Sequence, residues 1–216
     1  MARLLRDGDI VYHSFEGILP MIAVQLARRL HAPELFYVNP SGGINPQPEQ
    51  LPRTSSDPAL LAGSAALLTP GDISDMAARG RLDTLLLGAA RIDGSGRSDP
   101  GLLPGGAETA GLLNTARRSI LWLHQHDPQT TLEQLDAGIL PANLVAIITP
   151  LCILQPGAER LQIESIHPDV TPDQLRTQTG FALEHADQIP PTTPPSIDEL
   201  NTLAAIDPAG LRKIAS

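Results

Sequence analysis

Cysteine, lysine and aromatic side chains are nearly missing from this 216-residue chain, which has one cysteine, one lysine and 3% aromatics. One cysteine, Cys152, excludes an internal disulfide framework and any cysteine-rich zinc site. It lies in an apolar run, where a thiol is expected to be an inert core group. The cations are almost all arginine, scattered, and outweighed by acids to a formal net charge of -9. That balance opposes a nucleic-acid phosphate track, and so few aromatics oppose a single-strand stacking platform. The stretch from Met1 to Asp9 carries too short an apolar segment for a signal peptide. Leu144 to Leu154 is too short to span a bilayer and contains Pro150. A cytoplasmic protein with no nucleic-acid or membrane partner is expected.

What is present is globular: 42% hydrophobic and 18% charged residues in a length that suits one sizeable domain. Asp9 to Tyr12 reads as a strand. Ile18, Met21, Ile22, Leu26 and Leu30 then mark one face of a helix, with Pro20 in its first turn. Leu35 to Val38 is a second strand, followed by a proline-rich loop to Pro58 of the length usually reserved for function. Helices are expected over Ala59 to Leu68 and Asp72 to Arg79. Leu82 to Leu87 has the continuous apolarity of a strand buried on both faces. A turn at Asp93 to Gly96, a helix over Glu108 to Arg118 and a strand at Ser119 to Leu123 follow. Thr131 to Gln134 has capping-box spacing and should open a short helix. Asn143 to Ile148 and Cys152 to Leu154 read as strands, with Leu161 to Ile166 as a hairpin partner. Two caps, at Thr171 and Ser196, open the last helices. The alternation predicts an α/β fold with a largely parallel sheet and a C-terminal hairpin. Residues 1–189 would form the domain. Residues 190–216, opened by Pro190-Pro191 and Pro194-Pro195, would be a stiff spacer and a helix packing on it or on a partner.

Generic catalytic motifs fail: there is no phosphate loop, no G-x-G-x-x-G, no H-E-x-x-H and no G-x-S-x-G. His124 and His126 have ligand spacing but no completing pair, so they read as a polar strand end and no metal is expected. Three glycine-bearing loops stand where a strand meets a helix: Tyr12 to Gly17, Asn39 to Asn45 and Leu103 to Ala107. In open α/β sheets, ligands bind beyond the carboxyl ends of strands, near free helix amides. The same glycines also suit plain turns.

Several segments carry a resemblance: Leu5 to Val11, Leu26 to Leu35, Ser41-Gly-Gly-Ile44, Leu86 to Asp93, Leu103-Pro-Gly-Gly-Ala107, Ile148 to Cys152, Glu164 to Thr171, and Ala205 to Arg212. Together they resemble the β subunit of class I coenzyme A transferases, the glutaconate-CoA-transferase-like group with its ring-cleaving hydrolase and acyl-CoA decarboxylase relatives. The tail pair, H-P-x-V-T at His167 and I-D-P-x-x-x-R at Ile206, is the most specific. The resemblance implies a three-layer α/β/α open sheet of the NagB/RpiA/CoA-transferase type. It also implies an α-subunit partner in an α2β2 heterotetramer and an acyl-CoA substrate, with no cofactor beyond the coenzyme A of that substrate.

Departures from the family pattern shape the expected chemistry. The family's nucleophilic glutamate, placed directly before the S-G-G-I-G-like loop, is here Pro40. A P-G-S-G-G-A loop is shortened to Pro104-Gly105-Gly106-Ala107, and a common asparagine is Arg97. Proline carries no nucleophile, so the resemblance points to decarboxylation or carbon–carbon hydrolysis rather than transfer. Gly105 and Gly106 would donate amides to the thioester or coenzyme A, and Gly42 and Gly43 would shape the pocket wall. Ser41, Asn39 or Asn45 would supply polar contacts, and Arg97 would pair with a substrate carboxylate. Glu16, beside His13 and Ser14, fits a general base or merely a helix-start acid. Glu34 reads as solvated, and Glu49 could fold back from its loop. Two alternatives stay open: a true transferase with a relocated carboxylate, and a catalytically silent subunit.

Overall fold

The computed structural model describes residues 1–14, 17–48, 50–55, 57–99, 111–183 and 189–213. Its centre is a seven-stranded sheet in the order β10-β9-β8-β6-β3-β1-β2. The parallel strands are β1 (Ile10–His13), β2 (Phe36–Val38), β3 (Thr84–Gly88), β6 (Arg118–Trp122) and β8 (Leu144–Ile148). Antiparallel β9 (Cys152–Pro156) and β10 (Leu161–Ile166) complete one edge as a hairpin. That hairpin and the parallel register match the sequence expectation.

Alternation along β3 explains why its sequence is apolar throughout. Leu85 and Leu87 pack with Ile73 and Ala77 of α2 (Pro70–Ala78) and Leu175 of α3 (Pro172–Gln178). Leu86 faces the other way, onto Val24 and Ala27 of α1 (Leu19–Leu30). Both faces of the strand are covered, so neither tolerates a polar residue. Layers of helix, sheet and helix result. The last helix, α4 (Ile197–Ile206), packs beside α1, where Leu203 and Leu211 join Ile18, Met21, Ile22 and Leu60. Arg3 pins its start: the guanidinium takes Glu199 in a two-pronged bond at 2.7 and 2.6 Å and donates to the carbonyls of Thr193 and Pro194. No helix among the described residues is long and apolar enough to cross a membrane.

Caps set three helix starts. Thr69 and Ser196 each form both arms of a capping box, with Asp72 and Glu199. The Thr171 hydroxyl accepts from the Gln174 amide.

Local reading fails in four places. Thr131 opens no helix. It lies in β7 (Thr131–Leu132), which pairs in parallel with β4 (Arg91–Asp93) in a small second sheet completed by β5 (Ser98–Asp99). The Thr131 hydroxyl donates to the Asp127 carbonyl at 2.7 Å and accepts from the Gly180 amide, so it cannot cap. Glu133, in what would be the first turn, is paired with Arg160. Ala59 to Leu68 holds only a short 3-10 turn at Pro58–Leu61. Beyond it the backbone is extended and bonds to residues 42–44, through Ile44 N–H to Ala66 O and Leu68 N–H to Gly42 O. The expected helix over Glu108 to Arg118 is not seen in its described part, where residues 111–115 form turns and β6 begins at Arg118. Finally, the β4–β5 hairpin around the Asp93 turn leaves no signal in the sequence, because strands of three and two residues carry too little periodicity to read.

Candidate active site

Strand order locates the crevice. The chain passes from β1 outward to β2, then crosses back to β3 on the other side of β1. The carboxyl ends of β1 and β3 therefore flank a topological switch point, where open α/β sheets bind ligands. Ser14 stands there, fully buried. Its amide extends the β1–β3 ladder to the Leu86 carbonyl at 3.1 Å, and its hydroxyl lies 3.4 Å from the Gly88 amide. Gly17, with φ +72°, closes the next turn against Trp122, and a Cβ there would come within 2.9 Å of the indole. Trp122 ends β6 with the His124 ring edge-on at 4.4 Å. Its indole N–H is buried and makes no hydrogen bond with a described residue.

His13 is the most tightly held polar group of the site. Nδ1 lies 2.7 Å from the Ser14 carbonyl, an obligate acceptor, so that nitrogen carries the proton. Nε2 then accepts from the Tyr37 hydroxyl at 2.6 Å. Burial lowers the imidazole pKa to about 4 despite the Ser14 bond, and burial likewise raises the Tyr37 phenol well above its ordinary value. Both ring nitrogens are occupied and the ring is neutral. His13 thus fixes the end of β1 and is no general base.

The Asn39 loop departs from its expected role. The Asn39 amide donates to the Leu60 carbonyl at 2.6 Å, and its side-chain oxygen accepts from the Gly43 amide at 3.0 Å. Asn45, at φ +46°, bonds the Tyr37 backbone through its side-chain oxygen. Both asparagines are committed to holding the loop. Gly42 and Gly43 answer to the same packing, since a Cβ on Gly42 would sit 2.0 Å from the Leu68 carbonyl oxygen. Pro40 is buried beneath the turn, while Ser41 is half-buried and makes no side-chain hydrogen bond to a described residue. Glu34 is exposed.

Arg97 is not brought to this crevice. It is exposed on the β4–β5 turn, and the adjoining Gly96 packs on Leu144 and Leu161, at the starts of β8 and β10. Glu16, Glu49, Gly105 and Gly106 lie outside the described residues. His126 is buried between the Thr149 and Thr179 hydroxyls, at 2.8 and 2.9 Å, with its pKa lowered by burial to about 4. It is a structural bridge. Cys152 is buried, its thiol pushed up to about 11 by desolvation. No group of three His, Cys, Asp or Glu side chains fit to hold a metal occurs among the described residues. Sequence reasoning overlooked Trp122 and Tyr37. Their rarity was the available signal, as one Trp and two Tyr occur in the whole chain.

No protein-family model matches the chain. It is 29% identical over 236 residues to the β subunit of 3-oxoadipate CoA-transferase from Pseudomonas knackmussii, spanning 95% of this chain and 89% of that relative. It superposes on the decarboxylase AibA/AibB with a TM-score of 0.89 at 28% identity, covering 99% of this chain and 94% of the other. Glutaconate coenzyme A-transferase from Acidaminococcus fermentans shares the fold, with a TM-score of 0.79 at 19% identity over 95% of this chain and 90% of the other. IpdAB of Rhodococcus jostii RHA1 does so too, at 0.78 and 21% over 96% and 91%. A seven-stranded mixed sheet with its crevice at the β1–β3 switch point is thus the coenzyme A transferase fold. Within it, the chain is a β subunit of the class I coenzyme A transferase family.

Proposed function

We propose that this subunit works with an α subunit, as an α2β2 assembly in the cytoplasm, on an acyl-CoA bearing a carboxylate or a strained ring. The reaction is decarboxylation or carbon–carbon hydrolysis rather than coenzyme A transfer. The observation that carries this reading is Pro40: the family's nucleophile position holds a buried proline, and the side chains of Asn39 and Asn45 beside it are occupied by backbone. The likeness to the AibA/AibB decarboxylase, nearly end to end at 28% identity, supports it. In decarboxylation, the bond to the carboxylate carbon breaks and carbon dioxide leaves. The electron pair passes into the thioester-conjugated system as an enolate oxygen, and a proton then returns to carbon. Such a path needs donors at that oxygen and a proton source, but no enzyme carboxylate as acyl carrier and no cofactor beyond the substrate's coenzyme A. Ser14, at the switch point, is the described hydroxyl best placed to line the acyl end, with Glu16 as the proposed base.

The second reading, transfer through a relocated carboxylate, is favoured by the 29% identity to a 3-oxoadipate CoA-transferase chain. One experiment separates them. The co-expressed complex is incubated with a panel of carboxylated acyl-CoA thioesters, reduced with borohydride and weighed as intact chains. An unmodified chain with carbon dioxide or a cleaved acyl-CoA released supports the proposal. A coenzyme A-sized adduct or a reduced thioester mapping to Glu16 or Glu49 overturns it in favour of transfer. A β chain that raises no turnover above the α subunit alone overturns both, leaving a silent subunit.

A further inference from the structure

A cavity of about 460 Å³ lies on the outer side of β2, away from the β1–β3 crevice. That is the size of a small-molecule pocket. Its floor is apolar and rigid, made of Met21, Leu60 and Leu211 from the third core cluster together with the Tyr37 ring. Three independently fixed walls surround it. Met21, Gln25, Arg28 and Arg29 recur at four, three and one residues along α1 and so present one face of the helix. Opposite stands the turn from Ala205 to Leu211, held because the Asp207 carboxylate accepts from the amides of Leu211 and Arg212 at 2.7 and 3.1 Å and from the Arg212 guanidinium at 2.8 Å. The proline-rich loop closes the third side, its Gln47 amide bonded to the Ala62 carbonyl at 2.9 Å.

The charge of this cavity is uneven. Arg28 and Arg29 both line it, and neither makes an ion pair or a side-chain hydrogen bond with a described residue. By contrast Arg3, Arg91, Arg118 and Arg212 each take a carboxylate. Asp207 is the described acid in the lining, and its side chain is fully buried with its oxygens already engaged. In a chain of net charge -9, two neighbouring uncompensated guanidiniums at the mouth of an apolar pocket call for an anion. The dipole of α1 favours cations in its last turn, but it does not account for the walled cavity beneath them.

We propose that this cavity is a second ligand site, taking an amphipathic anion whose ring-sized or short-chain apolar body rests on Met21, Leu60 and Leu211 while a carboxylate or phosphate meets Arg28 and Arg29. It stands apart from the proposed reaction, because it opens on the outer side of β2. The test is calorimetric titration of the full chain, co-expressed with its partner, with three probes: phenylacetate, adenosine 3′,5′-bisphosphate and inorganic phosphate. Binding of phenylacetate alone identifies an organic acid as the ligand, and binding of the bisphosphate alone a phosphate ester. Either is expected to weaken by about 10- to 100-fold in the Arg28→Gln/Arg29→Gln double variant, as the loss of charged hydrogen bonds implies. Those substitutions remove no described bond, so the thermal midpoint should hold. Ala209→Trp, which fills the pocket without touching the charges, should abolish binding. The proposal is overturned if neither organic probe binds at millimolar concentration. It is equally overturned if inorganic phosphate binds as well as the organic probes, or if both variants bind as the parent does.

Discussion

Replacing Gly42 by alanine measures how closely the Asn39 loop is packed. Gly42 has φ +88°, and an added Cβ would meet the Leu68 carbonyl oxygen at 2.0 Å, with the Leu68 carbonyl carbon at 3.1 Å. The obstacle is backbone and cannot swing away. Two costs add: about 1 kcal/mol for an L-residue in the left-handed region, and roughly 1–3 kcal/mol for forcing apart a packed contact. The extended pairing also suffers, because Leu68 donates to Gly42 at 2.8 Å, and losing that bond costs about 1 kcal/mol. The sum is about 4 kcal/mol. Gly80 supplies the control. It follows α2 at φ +66°, with nothing within 4 Å of an added Cβ, so Gly80→Ala should cost only the backbone strain, about 1 kcal/mol. Urea denaturation of both variants beside the parent reads the difference directly. Gly42→Ala costing within about 0.5 kcal/mol of Gly80→Ala would refute the close approach, and with it the view that this glycine serves packing rather than substrate.

His13 and His126 are both held neutral by burial, at about 4 against an ordinary 6.5, so the unfolded chain binds more protons between those values. Stability should be complete above pH 6.5 and fall as the pH drops toward 4, by about 3 kcal/mol for each histidine. Denaturation midpoints that stay flat from pH 7 to 4.5 would contradict it. Arg3→Lys keeps the charge but loses the two-pronged bond to Glu199, so amide exchange in α4 should accelerate, with a stability loss of about 1 kcal/mol for this half-exposed pair. Trp122→Phe removes a buried N–H without a described partner, a gain of about 1–3 kcal/mol that offsets most of the packing loss. Trp122→Ala should cost about 3–5 kcal/mol, and equal losses in the two variants would be inconsistent with an unsatisfied indole. Arg97→Ala should leave turnover of the complex unchanged, and a tenfold fall would return Arg97 to the site.

The large elements were legible because burial on two faces leaves a loud pattern. The run Leu85-Leu86-Leu87 could only be an inner strand, and Ile18 to Leu30 only a one-faced helix. Thr131 misleads because a threonine three residues before Gln134 satisfies capping spacing whatever its hydroxyl does. Only the fold shows that oxygen engaged with Asp127 and Gly180. Ala59 to Leu68 misleads for a related reason. Alanine and leucine favour helix locally, but the segment gains more from bonding residues 42–44, a contact between stretches some twenty residues apart. In the site, the glycines and asparagines stand out by position, yet their tasks are inverted. Asn39, expected to touch substrate, instead ties Leu60 to Gly43. Arg97 followed from a family position, and a side chain's number says nothing of which end of the sheet its turn reaches.

These inversions share one physical consequence. In a transferase of this family the loop after β2 must present a carboxylate from a rigid turn. Here the turn is rigid and the carboxylate is gone. The rigidity survives in the Asn39 bonds, the Gly42–Leu68 contact and the buried Pro40. A loop selected only as a linker would have no need of two asparagine side chains and a glycine that cannot become alanine. Its remaining use is shape: a fixed wall beside the switch point that excludes water and sets the acyl group's orientation. Orientation contributes most to a reaction in which a bond must align with a thioester's π system, and a displacement of about 1 Å costs roughly 10²-fold. Pro40→Glu therefore restores a carboxylate to a loop that still holds its parent geometry. If the wall alone governs the outcome, that variant should lose carbon–carbon cleavage through the added bulk and charge, and gain at most a trace of coenzyme A adduct. Efficient adduct formation together with retained cleavage would mean that the loop is a vestige and that the chemistry is set wholly elsewhere in the complex.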